Sequence, residues 1–306
     1  MTDATSGAGR PGLRRCRAPA RRAQPGHRAR LGGGRRIGAQ SDQPSIHHHR
    51  LDRDGAPRHA PGGRPIKRLS LELGGQTPLI VLDDADLDVV VPAAVRRSYS
   101  NMGQICIAAN RLFVADGLAD DFTDAFAQRS RELRLGHGLD PEVEYGPLLN
   151  EATRQRSVEH VADAVNPGAR LVAGGRVPDG HRYARGWFYE PTVLADVEPG
   201  MRVMREETFG PAAAIRRYRS LDEAIAMAND SPYGLAAYVF GRDLERCLYV
   251  AERLEAGGVG VNVNDVTELA APFGGWKESG FGRELGPEGL EHCYELKHIR
   301  IGLRSG

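Results

Sequence analysis

From residue 67 onward, short apolar runs alternate with longer stretches in which apolar residues recur every three or four positions. The first run, 69–73, alternates three leucines with polar residues before a Gly-Gly turn, a pattern typical of a strand. Strands are predicted at 69–73, 78–83, 111–115, 170–173, 211–218, 235–240, 258–263 and 295–301. Helices are predicted at 88–101, 120–133, 151–165, 224–229 and 243–256. Strands and helices that take turns in this way indicate an α/β fold with a largely parallel sheet.

Two of the predicted helices carry a start signal. Asn150 stands immediately before 151–165, where its side chain can accept a hydrogen bond from the first turn. Ser220-Leu-Asp-Glu223 has the spacing of a capping box and opens the helix 224–229.

Residues 1–66 break the pattern. They contain none of the Phe, Tyr or Trp residues of the chain, and their large aliphatic residues are isolated, so no helical or strand period can be found. Such a segment cannot bury enough apolar surface to offset its chain entropy, and we expect it to be disordered. Its fourteen Arg and four Asp, with no Lys or Glu, give a charge of +10, whereas the rest of the chain carries −9.

The basic segment has several possible explanations. A nucleic-acid arm would need interleaved aromatic residues for stacking, and a transit peptide would need an amphipathic helix, which the glycines at 32–34 interrupt. His47-His48-His49 has no further ligands at the set spacing of a metal site. We favour the explanation that residues 1–66 come from a GC-rich gene translated out of frame, because such translation yields an excess of Arg, Pro, Gly and Ala. The net charge of +1 likewise points to no nucleic-acid partner.

The four cysteines are Cys16, Cys106, Cys247 and Cys293, and their wide spacing matches neither a disulfide framework nor a zinc site. A reducing, cytoplasmic location is therefore expected. No apolar run approaches the roughly 18–20 residues that a membrane-spanning helix needs, and no signal peptide is visible. No membrane partner is expected.

Cys106 is the first candidate for chemistry. It follows a predicted helix, in a loop that contains Gly103 and the amides Asn101 and Gln104. A substrate can reach a thiol in such a loop, and the backbone N–H can face the oxygen that becomes negative after attack by the thiolate. The alternative is a buried cysteine that acts as a small hydrophobic residue.

Three other stretches could complete a site around Cys106. Glu72 ends a predicted strand, where ligands collect in open α/β sheets and where a carboxylate can act as a general base on water. Glu206-Glu-Thr-Phe-Gly-Pro211 offers carboxylates for ribose hydroxyls and an aromatic face for a nicotinamide. The Gly-rich stretch 272–283 allows close backbone approach near a binding site. Taken singly, each stretch has a structural alternative. Glu72 could be a solvated charge at a strand end, 206–211 a turn before a strand, and 272–283 a long connecting loop.

Their order along the chain is more specific. The motifs are Leu71-Glu-Leu-Gly-Gly75, Asn101-x-Gly-Gln-x-Cys106, Glu207-x-Phe-Gly-Pro211 and Pro272-Phe-Gly-Gly-x-Lys-x-Ser-Gly-x-Gly-Arg-Glu284. This ordered set resembles the signature of the NAD(P)-dependent aldehyde dehydrogenases, over residues 67–302. The resemblance implies an aldehyde dehydrogenase-like three-layer catalytic domain at 76–286, after the last strand of a dinucleotide-binding domain at 67–75. It also implies a bridging segment at 287–306 with an oligomerisation strand, and hence a homo-oligomer.

The resemblance assigns roles to five residues. Cys106 matches the nucleophile that forms a thiohemiacetal and then a thioester with the aldehyde, and its N–H matches half of the oxyanion hole. Glu72 matches the base that activates the hydrolytic water. Glu207 matches the carboxylate on the nicotinamide ribose and Phe209 the residue beside the nicotinamide ring. Leu73 matches the position whose main chain meets the nicotinamide end of NAD or NADP.

The sequence also departs from the family. Gln76 stands where Lys is usual, and Tyr99 where Phe is commoner. Residues 1–66 lack the Pro-Trp-Asn segment, the adenosine-ribose Lys and the Gly-Ser-Thr turn of the family's first half. We therefore expect a truncated or mis-framed aldehyde dehydrogenase, weak or inactive. The competing hypothesis is a catalytically inactive assembly partner of a full-length enzyme.

Overall fold

The computed structural model describes residues 45–49 and 68–303, with side chains from residue 69 onward. Its main sheet has seven strands, which in chain order are β3 (Thr77–Val81), β4 (Ala109–Ala115), β5 (Arg170–Ala173), β6 (Thr192–Ala195), β7 (Ala212–Tyr218), β9 (Ala236–Phe240) and β10 (Gly258–Val261). Across the sheet they lie in the order β10-β9-β3-β4-β7-β6-β5. All neighbours in this sheet are parallel except β5 and β6, which are antiparallel.

Seven α-helices accompany the strands in the described residues; five were predicted, and the short helices at 202–205 and 286–291 were not. They are α1 (Leu87–Tyr99), α2 (Ala119–Arg131), α3 (Glu151–Val165), α4 (Arg202–Arg205), α5 (Leu221–Asn229), α6 (Leu244–Ala251) and α7 (Gly286–Glu291). Asn150 caps α3 and Ser220 caps α5 through their side chains, as the sequence predicts. Asp243 caps α6, which ends at Ala251, five residues earlier than predicted.

Helices cover both faces of the seven-stranded sheet. On one face, α1 and α2 contribute Val90 and Phe122 to a core that includes Leu79 and Leu112. The opposite core contains neighbouring residues of the same strands, such as Ile80 and Phe113, packed on α3, α5 and α6. Strands buried on both faces read as continuous apolar runs, which is the pattern of 78–82. The structure thus confirms the α/β, three-layer fold.

A second, smaller sheet lies beside the main one. It has the order β1-β2-β12, where β1 is Ser45–His49, β2 is Arg68–Glu72 and β12 is Gly280–Phe281. The segment 1–66 was expected to be disordered, and the structure differs at Ser45–His49, which pairs in parallel with β2. The physical reason is the free edge of β2, whose backbone groups bond to any adjacent extended chain. The rest of that expectation lies outside the described residues.

Two other expectations need correction. Residues 295–301 were predicted as a strand, but 295–303 have no regular secondary structure, because no other described strand pairs with them. The sequence pattern also did not predict β6, which lies next to the edge strand β5. Nor did it predict the two-residue strands β8 (Tyr233–Gly234) and β11 (Trp276–Lys277). The domain boundaries at 75 and 286 stay predictions.

The cap of α3 gives a test of the local structure. Asn150 Oδ1 accepts hydrogen bonds from Thr153 N at 2.9 Å and from Thr153 Oγ1 at 3.0 Å. Because loss of such a cap costs about 1 kcal/mol, Asn150→Ala is expected to lower the melting temperature by about 2–4 °C in calorimetry. Asn166→Ala is the matched control, since this exposed C-cap residue makes no side-chain hydrogen bond within the described residues. Equal effects of the two variants would contradict the capping role.

Candidate active site

The loop that carries Cys106 is fixed by backbone turns and side-chain amides. After α1, Asn101 and Met102 adopt positive φ angles of 51° and 57°. Asn101 and Gln104 hydrogen-bond to each other's backbone carbonyls at 3.1 and 2.9 Å. Gln104 Oε1 also accepts from Leu149 N, at 2.9 Å. The two amides that flank the thiol in the sequence therefore hold the loop, and Cys106 remains half-buried.

Two glycines bring this loop against the other motifs. A Cβ on Gly75 would lie 2.0 Å from the Cys106 carbonyl oxygen, so the end of the β2 segment touches the thiol loop directly. A Cβ on Gly103 would lie 2.3 Å from the Gly210 carbonyl oxygen, which brings the 206–211 loop to the other side. Only glycine fits such approaches between backbones.

Glu207 joins the same cluster. Its Oε1 accepts a hydrogen bond from Gly75 N at 2.9 Å, and a Cβ on Gly74 would lie 2.9 Å from its Oε2. Glu207 is 8% exposed, and Phe209, two residues further, is half-buried with a positive φ of 50°. The structure therefore places the Glu207 carboxylate within reach of the Gly-Gly turn that follows Glu72 and Leu73.

The Gly-rich stretch closes the site from the β2 side. Leu73 N donates to Ser279 O at 3.1 Å, and the Ser279 hydroxyl donates to Gly74 O at 2.7 Å while accepting from Gly234 N at 3.0 Å. β12 pairs antiparallel with β2, with Gly280 opposite Glu72. Sequence reasoning gave Ser279 no role; its position between β11 and β12 shows that it fastens the Gly-Gly turn.

Glu72 is a buried carboxylate, 3% exposed, and neither of its oxygens has a hydrogen-bond partner among the described residues. Burial, followed by the nearby charge of Glu284, raises the pKa of Glu72 to about 7. The Gly275 N–H, which faces the carboxylate without the geometry of a hydrogen bond, and the charge of Arg283 offset part of this effect. A carboxyl group with this pKa is poised to exchange protons near neutral pH. Sequence reasoning did not anticipate the influence of Glu284.

The Cys106 thiol lies in the field of both carboxylates. Its pKa is raised to about 11, first by burial and then by the charges of Glu207 and Glu72, while the N–H groups of Cys106 and Ile107 oppose the shift. At neutral pH the group is therefore a thiol, and a base must take its proton before it can attack. The structure thus brings together Cys106, Glu72, Glu207, Leu73 and Phe209, the five residues predicted as site residues, whose roles remain predictions.

Two candidate features are absent from the described ranges, 45–49 and 68–303. No three His, Cys, Asp or Glu side chains there are grouped in a way that could bind a metal ion. No helix in the same ranges combines the length and apolar character that crossing a membrane requires.

The electrostatics of Cys106 can be tested by alkylation with iodoacetamide, quantified for each cysteine by peptide mass spectrometry. Because Glu72→Gln and Glu207→Gln each remove a negative charge near the thiol, each should lower its pKa and speed the reaction at pH 8 by about threefold or more. Glu132→Gln, which neutralises an exposed carboxylate bonded to Arg129 outside the site, is the control. Unchanged or slower reaction in both site variants would contradict the proposed effect of the carboxylate charges on the thiol pKa.

Comparison with known proteins agrees with this geometry. The family model described as "Aldehyde dehydrogenase family" matches residues 58–299. The NADP(+) succinate-semialdehyde dehydrogenase of Escherichia coli is 46% identical over 240 residues, 78% of this chain and 49% of that protein. The chain thus spans about half the length of the relatives it matches.

Solved structures show the same fold. An Escherichia coli structure described as an NADP-dependent enzyme superposes with a TM-score of 0.84 at 41% identity, covering 90% of this chain and 56% of that one. A betaine aldehyde dehydrogenase from Staphylococcus aureus, solved with NAD+, superposes with a TM-score of 0.80 at 35% identity, covering 84% and 51% of the two chains. The chain belongs to the aldehyde dehydrogenase family.

Proposed function

We propose that the chain is an oxidoreductase that converts an aldehyde into a carboxylate with NAD(P)+. The observation that supports this most strongly is the convergence of a thiol and two buried carboxylates on one Gly-Gly turn. The Escherichia coli relative is named for succinate semialdehyde, so a small semialdehyde is the first substrate to test. Bound NAD(P)+ would supply the acceptor for the hydride.

The residues present fit the nicotinamide end of that cofactor. Glu207 offers a carboxylate acceptor for ribose hydroxyls, and Gly74 keeps the space beside its Oε2 free of a side chain. Phe209, two residues away and half-buried, would offer an aromatic face to the nicotinamide ring. The Leu73 main chain is held next to them through Ser279. The relatives include an NADP-dependent enzyme and one bound to NAD+, and we propose no choice between the two.

The first chemical stage uses both Cys106 and Glu72. With a pKa of about 7, Glu72 can accept the thiol proton, and the resulting thiolate forms a bond to the aldehyde carbon. The carbonyl oxygen becomes an oxyanion, which the Cys106 N–H can stabilise. When the oxyanion re-forms its C=O bond, the hydride would leave the same carbon for bound NAD(P)+, and Cys106 would hold the acyl group as a thioester.

The second stage releases the product. Glu72 first releases the thiol proton to solvent, and then takes a proton from water while the water oxygen attacks the thioester carbon. The C–S bond breaks, and the second proton of the water passes from the new carboxylic acid to the leaving thiolate. The product therefore leaves as a carboxylate, the Cys106 thiol is restored, and Glu72 returns its proton to solvent. Since Glu72 must be ionised to act as the base, turnover should rise with pH through about 7.

Turnover by this chain is tested by following reduced nicotinamide absorbance with succinate semialdehyde and either cofactor. Cys106→Ser should abolish the signal, because a serine hydroxyl beside two carboxylates is a far weaker nucleophile. Cys293→Ser is the matched control, since it removes an exposed thiol outside the site. The proposal fails if the unmodified chain gives no turnover, or if Cys106→Ser retains it.

A second candidate function is that of an inactive assembly partner of a full-length enzyme, and the exposed C-terminal segment supports contact with other subunits, beginning with a second copy of this chain. Leu296 and Leu303 are 98% and 91% exposed, and Ile299 and Ile301 are also exposed. Ile299, Ile301 and Leu303 recur every second residue, the period of one strand face. An exposed apolar segment of this kind suits strand addition to another subunit, so we propose a homo-oligomer formed through 287–306.

This assembly is tested by size-exclusion chromatography with light scattering. Ile299→Asp should shift the protein toward the monomer, because a buried charge on the strand face disfavours pairing. Leu139→Asp is the matched control, since Leu139 is 89% exposed in another loop. A monomeric unmodified chain, or equal behaviour of the two variants, would contradict this role for the segment.

The free cysteines of the described residues favour a reducing compartment. Cys106, Cys247 and Cys293 are all free thiols, and free thiols persist where glutathione keeps proteins reduced. We therefore propose a cytoplasmic location.

A further inference from the structure

His160 is a buried residue that the proposed mechanism does not use. It lies on α3, is fully buried, and faces the 206–210 loop together with Ser157, three residues earlier on the same helix. Burial, followed by the charge of Arg202, lowers the pKa of His160, so the ring is neutral near pH 7. A neutral imidazole in such a place needs partners for both of its nitrogens.

One ring nitrogen is hydrogen-bonded to the loop that carries Glu207. His160 Nδ1 lies 3.0 Å from Thr208 Oγ1 and, with the ring proton on Nε2, accepts the Thr208 hydroxyl proton. Nε2 lies 3.4 Å from Glu206 Oε2, an electrostatic contact without the geometry of a hydrogen bond. The bond to Thr208 therefore ties the imidazole to the loop.

The loop lies between α3 and the Gly-Gly turn. On the α3 side, the Thr208 side chain is fully buried, and a Cβ on Gly210 would lie 2.1 Å from Ser157 Oγ. On the other side, Glu207 accepts the Gly75 N–H bond. The contacts that hold Thr208 therefore also set the orientation of its neighbours, Glu207 and Phe209.

The backbone of the loop makes this anchoring necessary. Phe209 has a φ of 50°, a conformation that is strained for a residue with a Cβ and persists only when its surroundings enforce it. Thr208 is the residue immediately before it, and His160 Nδ1 is the hydrogen-bond partner of its hydroxyl. Loss of that bond would let the loop relax toward an unstrained backbone.

We propose that His160 is a positioning residue: its hydrogen bond to Thr208 fixes the 206–209 loop so that Glu207 and Phe209 face the nicotinamide end of the cofactor. The part about the cofactor rests on the proposed function, whereas the part about the loop does not. His160 touches none of the reacting groups and acts through Thr208.

The loop is tested by hydrogen–deuterium exchange of the complete chain. Thr208→Val removes the hydroxyl at nearly constant volume and should raise exchange of the 206–210 amides roughly tenfold, with the 109–115 strand unchanged. Thr208→Ser keeps the hydroxyl and should restore protection. Thr123→Val is the matched control: Thr123 is equally buried, but its hydroxyl bonds to Ala119 O within its own helix. Equal loop exchange in the two valine variants would overturn the proposal.

Two further measurements address His160 itself and the cofactor. His160→Leu should reproduce the effect of Thr208→Val, whereas His160→Asn, whose amide can reach the Nδ1 position, should restore part of the protection.

NADH binding, followed by fluorescence, should weaken roughly tenfold in Thr208→Val and remain unchanged in Thr123→Val. If the unmodified chain binds no NADH, the proposed function fails, and loop exchange still decides the positioning role. Loosened loop exchange with unaltered NADH binding would overturn its link to the cofactor.

Discussion

The site depends on backbone contact at Gly75. This residue packs against the Cys106 carbonyl, at a distance that leaves no room for a Cβ, and its N–H donates to Glu207 at 2.9 Å. One residue thereby joins the end of the β2 segment, the thiol loop and the loop after α4. Backbone contacts of this kind are stiff, because they have no rotamers to adjust, and they hold the reactive groups in register.

Bringing these groups together has an electrostatic consequence. Glu72 and Glu207 are both buried near a thiol that has no cation beside it among the groups that shift its pKa. Burial and like charge therefore favour the protonated forms, and the pKa values of Glu72 and Cys106 both rise. At neutral pH the Cys106 thiol therefore keeps its proton, whereas Glu72 lies near the midpoint of its titration.

The pattern of the sequence was sufficient for elements whose signals are local. Asn150 and Ser220 cap the helices that they were predicted to cap, and the apolar run at 78–82 is a strand buried on both faces. Where pairing depends on distant chain, sequence reasoning failed. The strand predicted at 295–301 has no partner in the described chain, and Ser45–His49 became a strand because β2 offered an edge. The motifs contain the residues that lie around the Gly-Gly turn, but they gave no role to Ser279 or His160.

The structure also distinguishes two kinds of buried charge. Arg111, 2% exposed, donates four hydrogen bonds to the carbonyls of Gln76, Met227 and Ala228, so its charge is solvated by the backbone. Glu72, 3% exposed, has no hydrogen-bond partner for its oxygens among the described residues. Burial weakens the charged form of both groups: it raises the pKa of Glu72 to about 7 and lowers the pKa of Arg111 to about 9, so only the carboxylate changes charge near neutral pH. Glu72 can therefore exchange a proton near neutral pH, whereas Arg111 stays charged and bonds three backbone carbonyls to one side chain.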